Sequence, residues 1–337
     1  LVSKPRLFPT ETPHPFTFPS EQAGFIVNTD KAAQGWLKLL NLIMRYGRIK
    51  KTRYAQNNEL KEILNLTVTI TNEDPDSPYF PDYLLFSKKE LAAYLPQVLT
   101  AKNLPGISYS YGQRLRDNQG IDQIAEIIEL AKRRPFSKKM AAFTANIERD
   151  WGRENIDRGD TPCLTQVLCS IQDDKLFMTT HFRSQDMVHG WPRNVLSLIK
   201  LQDFICKESG VERGTFTMIT HSAHIYADDF RKIEKILAEN FEKELGFTAR
   251  QHFRNDPRGN YTVEVDRKNK LILVKLFGPD GGLMLKQWHG ENALDLVWQI
   301  TDWDYFALPS HAMYVGAELQ RAENALVSGT PYTQDRP

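Results

Sequence analysis

At 337 residues the chain exceeds the usual size of one domain, so one large domain with a smaller companion is expected. Hydrophobic residues at 41% and charged residues at 25% exclude a fibrous or disordered protein and fit one that buries a sizeable core. With 43 basic against 42 acidic residues the net charge is +1, which excludes a polyanion-binding surface spread over the molecule; nucleic acid is not an expected partner, and any phosphate site is local.

Residues 1–20 carry five prolines and read as an extended arm. From Lys31 to Arg45 the apolar residues Trp36, Leu37, Leu39, Leu40, Ile43 and Met44 recur at helical spacing, with Gly47 as a stop. Leu60 to Ile70 begins with charged residues and then alternates through Leu66, Val68 and Ile70, which predicts a short helix or turn feeding a strand. Ile121 to Lys132 reads as a helix whose apolar face includes Ile121, Ile124, Ile127, Ile128 and Leu130, ended by Pro135.

Met140 to Ile147, Val167 to Ile171, Leu176 to His181 and Phe216 to Thr220 read as strands. Val195 to Cys206 and Asp229 to Leu245 read as helices, and the polar run after Gly246 marks a domain boundary near residue 250. Beyond it, Tyr261 to Val265 and Leu271 to Phe277 form a predicted hairpin, followed by helices over Ala293 to Ile300 and His311 to Leu326. The expected division is therefore an arm over 1–20, a catalytic domain over 21–250 and a small α+β module over 251–337.

Cys163, Cys169 and Cys206 are odd in number and lack metal-ligand spacing, so neither a disulfide framework nor a metal site is expected. No apolar run approaches the ~20 residues of a membrane span, and the start lacks a signal-peptide pattern. A cytoplasmic protein without membrane contact is the reading.

Buried, inert thiols are the default for Cys169 and Cys206, but Cys163 keeps different company. It follows Thr161 and Pro162; downstream come Arg183-Ser184-Gln185-Asp186, then Gly190-Trp191-Pro192-Arg193-Asn194, then His221-Ser222-Ala223-His224-Ile225-Tyr226. Each run alone is weak, but their fixed order and register resemble the thymidylate synthase family, most firmly over residues 106–230.

That resemblance implies an α+β fold with a large mixed, mostly antiparallel sheet flanked by helices, and a symmetric homodimer. It implies folate-dependent transfer of a one-carbon unit to C5 of a pyrimidine nucleoside monophosphate, with 5,10-methylenetetrahydrofolate or a related reduced pterin as co-substrate. C5 of the pyrimidine is a poor nucleophile until a thiolate adds at C6, and Cys163 would supply that thiolate. Arg183 would activate the sulfur and hold phosphate, with Ser184 beside it.

Asn194 matches the family residue that reads the N3 and O4 edge. An amide donates to O4 and accepts from N3–H, which favours uridylate over cytidylate; an amide can flip, and a cap on the following helix is the lesser alternative for Asn194. His224 and Tyr226 resemble the pair that grips the ribose, and Asp186 the acid that binds the pterin ring. Tyr111, with Gly112, resembles the tyrosine near the base-side water. The glutamate serving proton removal from C5 is assigned to Glu62, with Glu59 as the alternative.

Lys138 and Lys139 follow Pro135-Phe136-Ser137 where the family carries two arginines that reach the partner subunit's phosphate, which keeps the charge and loses the planar fork. Leu164 stands where bacterial members have His and Leu115 where Trp is usual; the family's C-terminal tail is not recognisable, and residues from about 251 resemble an uncharacterised module appended to some archaeal and cyanobacterial relatives. The implied reaction is reductive methylation of dUMP; hydroxymethylation of dUMP, dCMP or CMP, and a non-catalytic nucleotide-binding regulator, are the alternatives.

Overall fold

A computed structural model describes residues 23–55, 58–102, 109–151, 161–246, 256, 258–301 and 306–335. The predicted arm over 1–20 lies outside the described residues, as does the predicted boundary near residue 250. The chain divides into two compact units, Leu1–Gly246 and Phe247–Pro337. No helix among the described residues is long and apolar enough to cross a membrane.

The first unit runs β1 (Ile26–Thr29), α1 (Ala32–Tyr46), β2 (Arg48–Lys51), β3 (Glu59–Ile70), α2 (Lys88–Tyr94), α3 (Pro96–Leu99), α4 (Tyr111–Arg116) and α5 (Gln123–Arg133). It continues through β4 (Ala141–Phe143), α6 (Ile147–Asp150), β5 (Leu164–Gln172), β6 (Lys175–Asp186), α7 (Trp191–Ser209), β7 (Glu212–Tyr226) and α8 (Phe230–Leu245). The strands form one mixed sheet in the order β1-β3-β7-β6-β5-β4, with β2 paired to β3. The β1–β3 and β6–β7 pairs are parallel and the other pairs antiparallel.

Local chemistry accounts for the helices. Trp36, Leu37, Leu39, Leu40 and Ile43 of α1 are fully buried at the 3.6-residue period, and the Gly47 N–H closes the helix on Ile43 O. A reciprocal Ser87–Glu90 capping box starts α2. Asp122 caps α5 by accepting from Ala125 N, so Ile121 stands outside the helix and is exposed instead of joining its apolar face. The predicted strand over Met140 to Ile147 shrinks to β4, because Asn146 accepts from Arg149 N and starts α6. The predicted helix or turn at the start of Leu60 to Ile70 is absent: β3 is strand from Glu59 onward.

A break in the pleat of the sheet sets which residues face the site. The registers pass from Phe182↔Thr220 to Ser184↔Ser222 and from Leu66↔Thr220 to Leu64↔Ser222, so Arg183, His221 and Asn65 lie in one row across β6, β7 and β3. All three are exposed, and Asn65 has a left-handed φ of 55°, which asparagine tolerates better than most residues. On one side of the row the buried positions are even: Leu66, Val68 and Ile70 in β3, Met178, Thr180 and Phe182 in β6, Phe216, Met218 and Thr220 in β7. On the other side the residues that continue this core are odd: Ile63, Gln185, Ala223 and Ile225. Strict alternation would have sent Glu62, Ser184, Asp186, Ser222 and His224 into the apolar core; the break in the pleat places them on the opposite face.

The second unit holds β8 (Asn260–Asp266), β9 (Leu271–Phe277), β10 (Met284–Gly290), α9 (Ala293–Thr301) and α10 (Pro309–Ser328). The strands form an antiparallel sheet in the order β10-β9-β8, packed through Val263, Val274, Leu276, Trp288, Leu296 and Leu319. Strand β10 adds to the predicted hairpin. The buried Asp256 accepts from the backbone N–H groups of Arg258, Ala307 and Leu308 and lies 3.1 Å from His311 Nδ1, which ties the start of the unit to the foot of α10.

Candidate active site

Cys163 sits immediately before β5 and is half-buried. The Arg183 N–H donates to Cys163 O at 2.9 Å, while the guanidinium donates from Nε to Pro162 O at 3.1 Å and from Nη2 to Thr161 O at 2.7 Å. Two of the guanidinium's five donors thus hold the turn that presents the sulfur, and the exposed remainder of the group faces outward from the same turn. The other two thiols contrast with it: burial pushes Cys169 up to about 12 and Cys206 up to about 11, as befits inert core residues.

Two tyrosines lie near enough to Cys163 to feel its charge. Tyr111 packs edge-on against Phe182 with ring centroids 5.9 Å apart and is hydrogen-bonded to the backbone of Leu164, next to the thiol. Burial first, then the nearby Cys163, raises the Tyr111 hydroxyl well above the ordinary tyrosine range. The approach of α4 depends on Gly112, where a Cβ would lie 2.3 Å from Thr100 O. Tyr94, at the end of α2, also feels Cys163, and its hydroxyl donates to Asn194 Oδ1 at 2.6 Å. Asn194 is buried in the first turns of α7, its own N–H bonded to Gly190 O.

The far ends of β3, β6 and β7 supply further residues. Glu62 pairs with His224 across β3 and β7, and accepts from Ser222 Oγ at 2.5 Å and from Lys50 Nζ at 3.2 Å. His224 and Tyr226 share one strand face, with rings edge-on at 4.9 Å. Burial lowers the His224 pKa below the ordinary histidine value against the opposing pull of Asp186 and Glu62, and its Nδ1 is buried without a protein partner among the described residues. Tyr226 is raised by burial and by Asp186 and Cys163, which links these strands to the sulfur. Asp186 ends β6 opposite His224, its Oδ1 accepting from Val188 N at 2.8 Å and His189 N at 3.2 Å.

Cys163, Tyr111, Arg183, Asn194, Asp186, His224, Tyr226 and Glu62 therefore form one connected group, and Ser184 joins it by pairing with Ser222. Glu59 is exposed at the start of β3, opposite Lys51, and among the described residues no hydrogen bond joins its side chain to this group. Lys138 and Lys139 are exposed before the edge strand β4, and among the described residues no hydrogen bond or ion pair joins their side chains to the Cys163 group. Three members had no assigned role in the sequence reading: Tyr94, Lys50 and Ser222. The alternation Ser222, His224, Tyr226 was a usable signal for the last; Tyr94 carried none.

Residues 86–256 match the family model described as Thymidylate synthase, and residues 255–335 match one described as PterinBD-DUF4346. Among curated relatives, a protein of Methanosarcina mazei provisionally named a thymidylate synthase is 31% identical over 217 residues, covering 64% of this chain and 96% of the relative. Similarly named proteins of Methanococcoides burtonii and Methanocaldococcus jannaschii are each 32% identical, over 64% and 63% of this chain and 95% and 96% of their own lengths. The appended segment thus has a family model of its own, although the sequence reading left it uncharacterised.

Proposed function

The chain belongs to the thymidylate synthase family, transferases of one-carbon units to C5 of a pyrimidine nucleotide, and we propose that it converts dUMP to dTMP reductively through a covalent bond between Cys163 and C6. The observation that carries the reading is the half-buried Cys163 held beside Arg183, with Tyr94, Tyr111 and Tyr226 near enough to feel its charge, while the other two cysteines lie in the core.

Sulfur adds to C6, and the electron pair displaced from the C5–C6 bond makes C5 an enolate-like nucleophile. Arg183 and Ser184 clamp the phosphate, with the donors that Arg183 does not spend on the Cys163 turn. His224 Nδ1, buried without a partner among the described residues, is satisfied by a ribose hydroxyl, with Tyr226 beside it. Asn194 reads the base edge. Glu62, anchored by Ser222 and Lys50, and Tyr111, whose hydroxyl stays protonated, serve removal of the C5 proton.

A methylene-bearing reduced pterin supplies the carbon and the hydride. The Asp186 carboxylate, fixed by two backbone N–H groups, suits the amide and amino hydrogens of such a ring, and the match of residues 255–335 to a model named for pterin binding supports the same co-substrate class. The exposed Lys138 and Lys139, outside the group formed by their own chain, complete the site of a partner in a cytoplasmic homodimer.

Release of tritium from C5 of labelled dUMP, followed with the pterin present, tests the chemistry. Wild type releases it and forms dihydropterin with dTMP, and Cys163→Ala falls to background. Equal release from both proteins removes the covalent step; tetrahydropterin released without oxidation, together with a hydroxymethylated nucleotide, replaces methylation by hydroxymethylation; nucleotide binding without release from wild type leaves a regulator.

A further inference from the structure

Asparagine alone is an ambiguous reader of a pyrimidine. Uracil presents an N3–H donor beside the O4 acceptor, and cytosine presents an N3 acceptor beside a 4-amino donor; an amide that exchanges its oxygen and nitrogen by a half-turn satisfies either. Selectivity between the two bases therefore depends on what holds the amide.

Here the hold is visible. The Tyr94 hydroxyl donates to Asn194 Oδ1 at 2.6 Å, from a helix 100 residues earlier in the chain. That hydroxyl makes no other hydrogen bond among the described residues. Were the amide turned over, Tyr94 would accept from Nδ2 and its own proton would be left without a protein acceptor in a half-buried position, which costs part of the desolvation of that donor. Burial and the neighbouring Tyr109 and Cys163 keep Tyr94 protonated, so it remains a donor throughout the working pH range.

Resting on the nucleotide reading above, we propose that Tyr94 is a positioning residue that determines base specificity: it fixes the Asn194 amide in the orientation that serves a 4-oxo pyrimidine and opposes a 4-amino one. Tyr94 acts through Asn194 rather than on the reacting atoms. The same hydroxyl gives Asn194 a partner before substrate arrives, so the reader is organised in advance.

The test is Tyr94→Phe, which keeps the ring and removes the lock. Tritium release gives kcat/KM for dUMP and dCMP, and calorimetry gives Kd for each nucleotide, with wild type and variant. Wild type prefers dUMP, and in the variant the dUMP:dCMP ratio narrows about tenfold in both readouts. An unchanged ratio, whether activity is kept or lost equally for both bases, overturns the proposal, as does a wild type that binds dCMP as tightly as dUMP. If wild type turns over neither nucleotide, the reaction assignment fails, yet a binding preference for dUMP that collapses in Tyr94→Phe still supports the role of Tyr94.

Discussion

On the core side of the row formed by Asn65, His221 and Arg183, strands β3, β6 and β7 keep a two-residue alternation of buried residues such as Val68, Met178 and Phe216. On the site side the same strands carry Glu62, Ser184, Asp186, Ser222 and His224 at the corresponding parity, no longer directed into that core. The register is the same on both sides of the row, although neither ladder pairs the row residues themselves, so the two halves share one sheet and differ in which parity faces the apolar interior. A site built on strands gains rigidity from the ladder, and a shift in pleat is what lets polar residues use it without facing the apolar core.

The comparison separates stability from chemistry. Phe216→Ala empties a fully buried position and is expected to cost about 3–5 kcal/mol, read as a lower denaturant midpoint, with kcat/KM of the folded enzyme unchanged. Ser222→Ala, which removes the 2.5 Å hydrogen bond to Glu62, is expected to leave the midpoint within about 1 kcal/mol yet lower kcat about tenfold. Comparable stability losses from both would erase the distinction between the halves.

Asn65 is the next place to press. A β-branched residue at φ 55° is strained, so Asn65→Val is expected to cost about 1–2 kcal/mol and to lower activity, whereas Asn65→Gly keeps the conformation and most of the rate. If Val is tolerated in both assays, Asn65 does not set the break, and Arg183 and His221 carry it.

The break also explains what sequence reasoning reached. Helices α1, α7 and α8 were legible because their apolar residues hold one period throughout. The strand readings stopped at His181 and Thr220, just short of the row, because the alternation that defines a strand fails there; β6 and β7 run on to Asp186 and Tyr226. The charged start of Leu60 to Ile70 reads as a helix or turn because regular alternation begins only at Leu66, after the phase of β3 changes at Asn65. Residues such as Cys163, Arg183, Asn194 and His224 drew notice through short motifs. The Tyr94–Asn194 and Ser222–Glu62 bonds join residues 100 and 160 positions apart, and no local pattern encodes such a meeting.

Two histidines give the finest contrast. Burial lowers the pKa of His181, on the core side of the row, and of His224 on the site side, where Asp186 and Glu62 oppose the shift. Between the ordinary value of 6.5 and the lower folded values, the unfolded chain binds protons that the native protein does not, so stability rises with pH across that window and is lost as pH falls through it. Each of His181→Gln and His224→Gln should therefore flatten part of the fall in Tm on acidification. Only His224→Gln should also move the pH profile of kcat/KM, since only His224 lies in the connected group with Glu62 and Asp186. A profile displaced equally by both variants would mean that the two sides of the row titrate as one unit, and the functional contrast between them would fail.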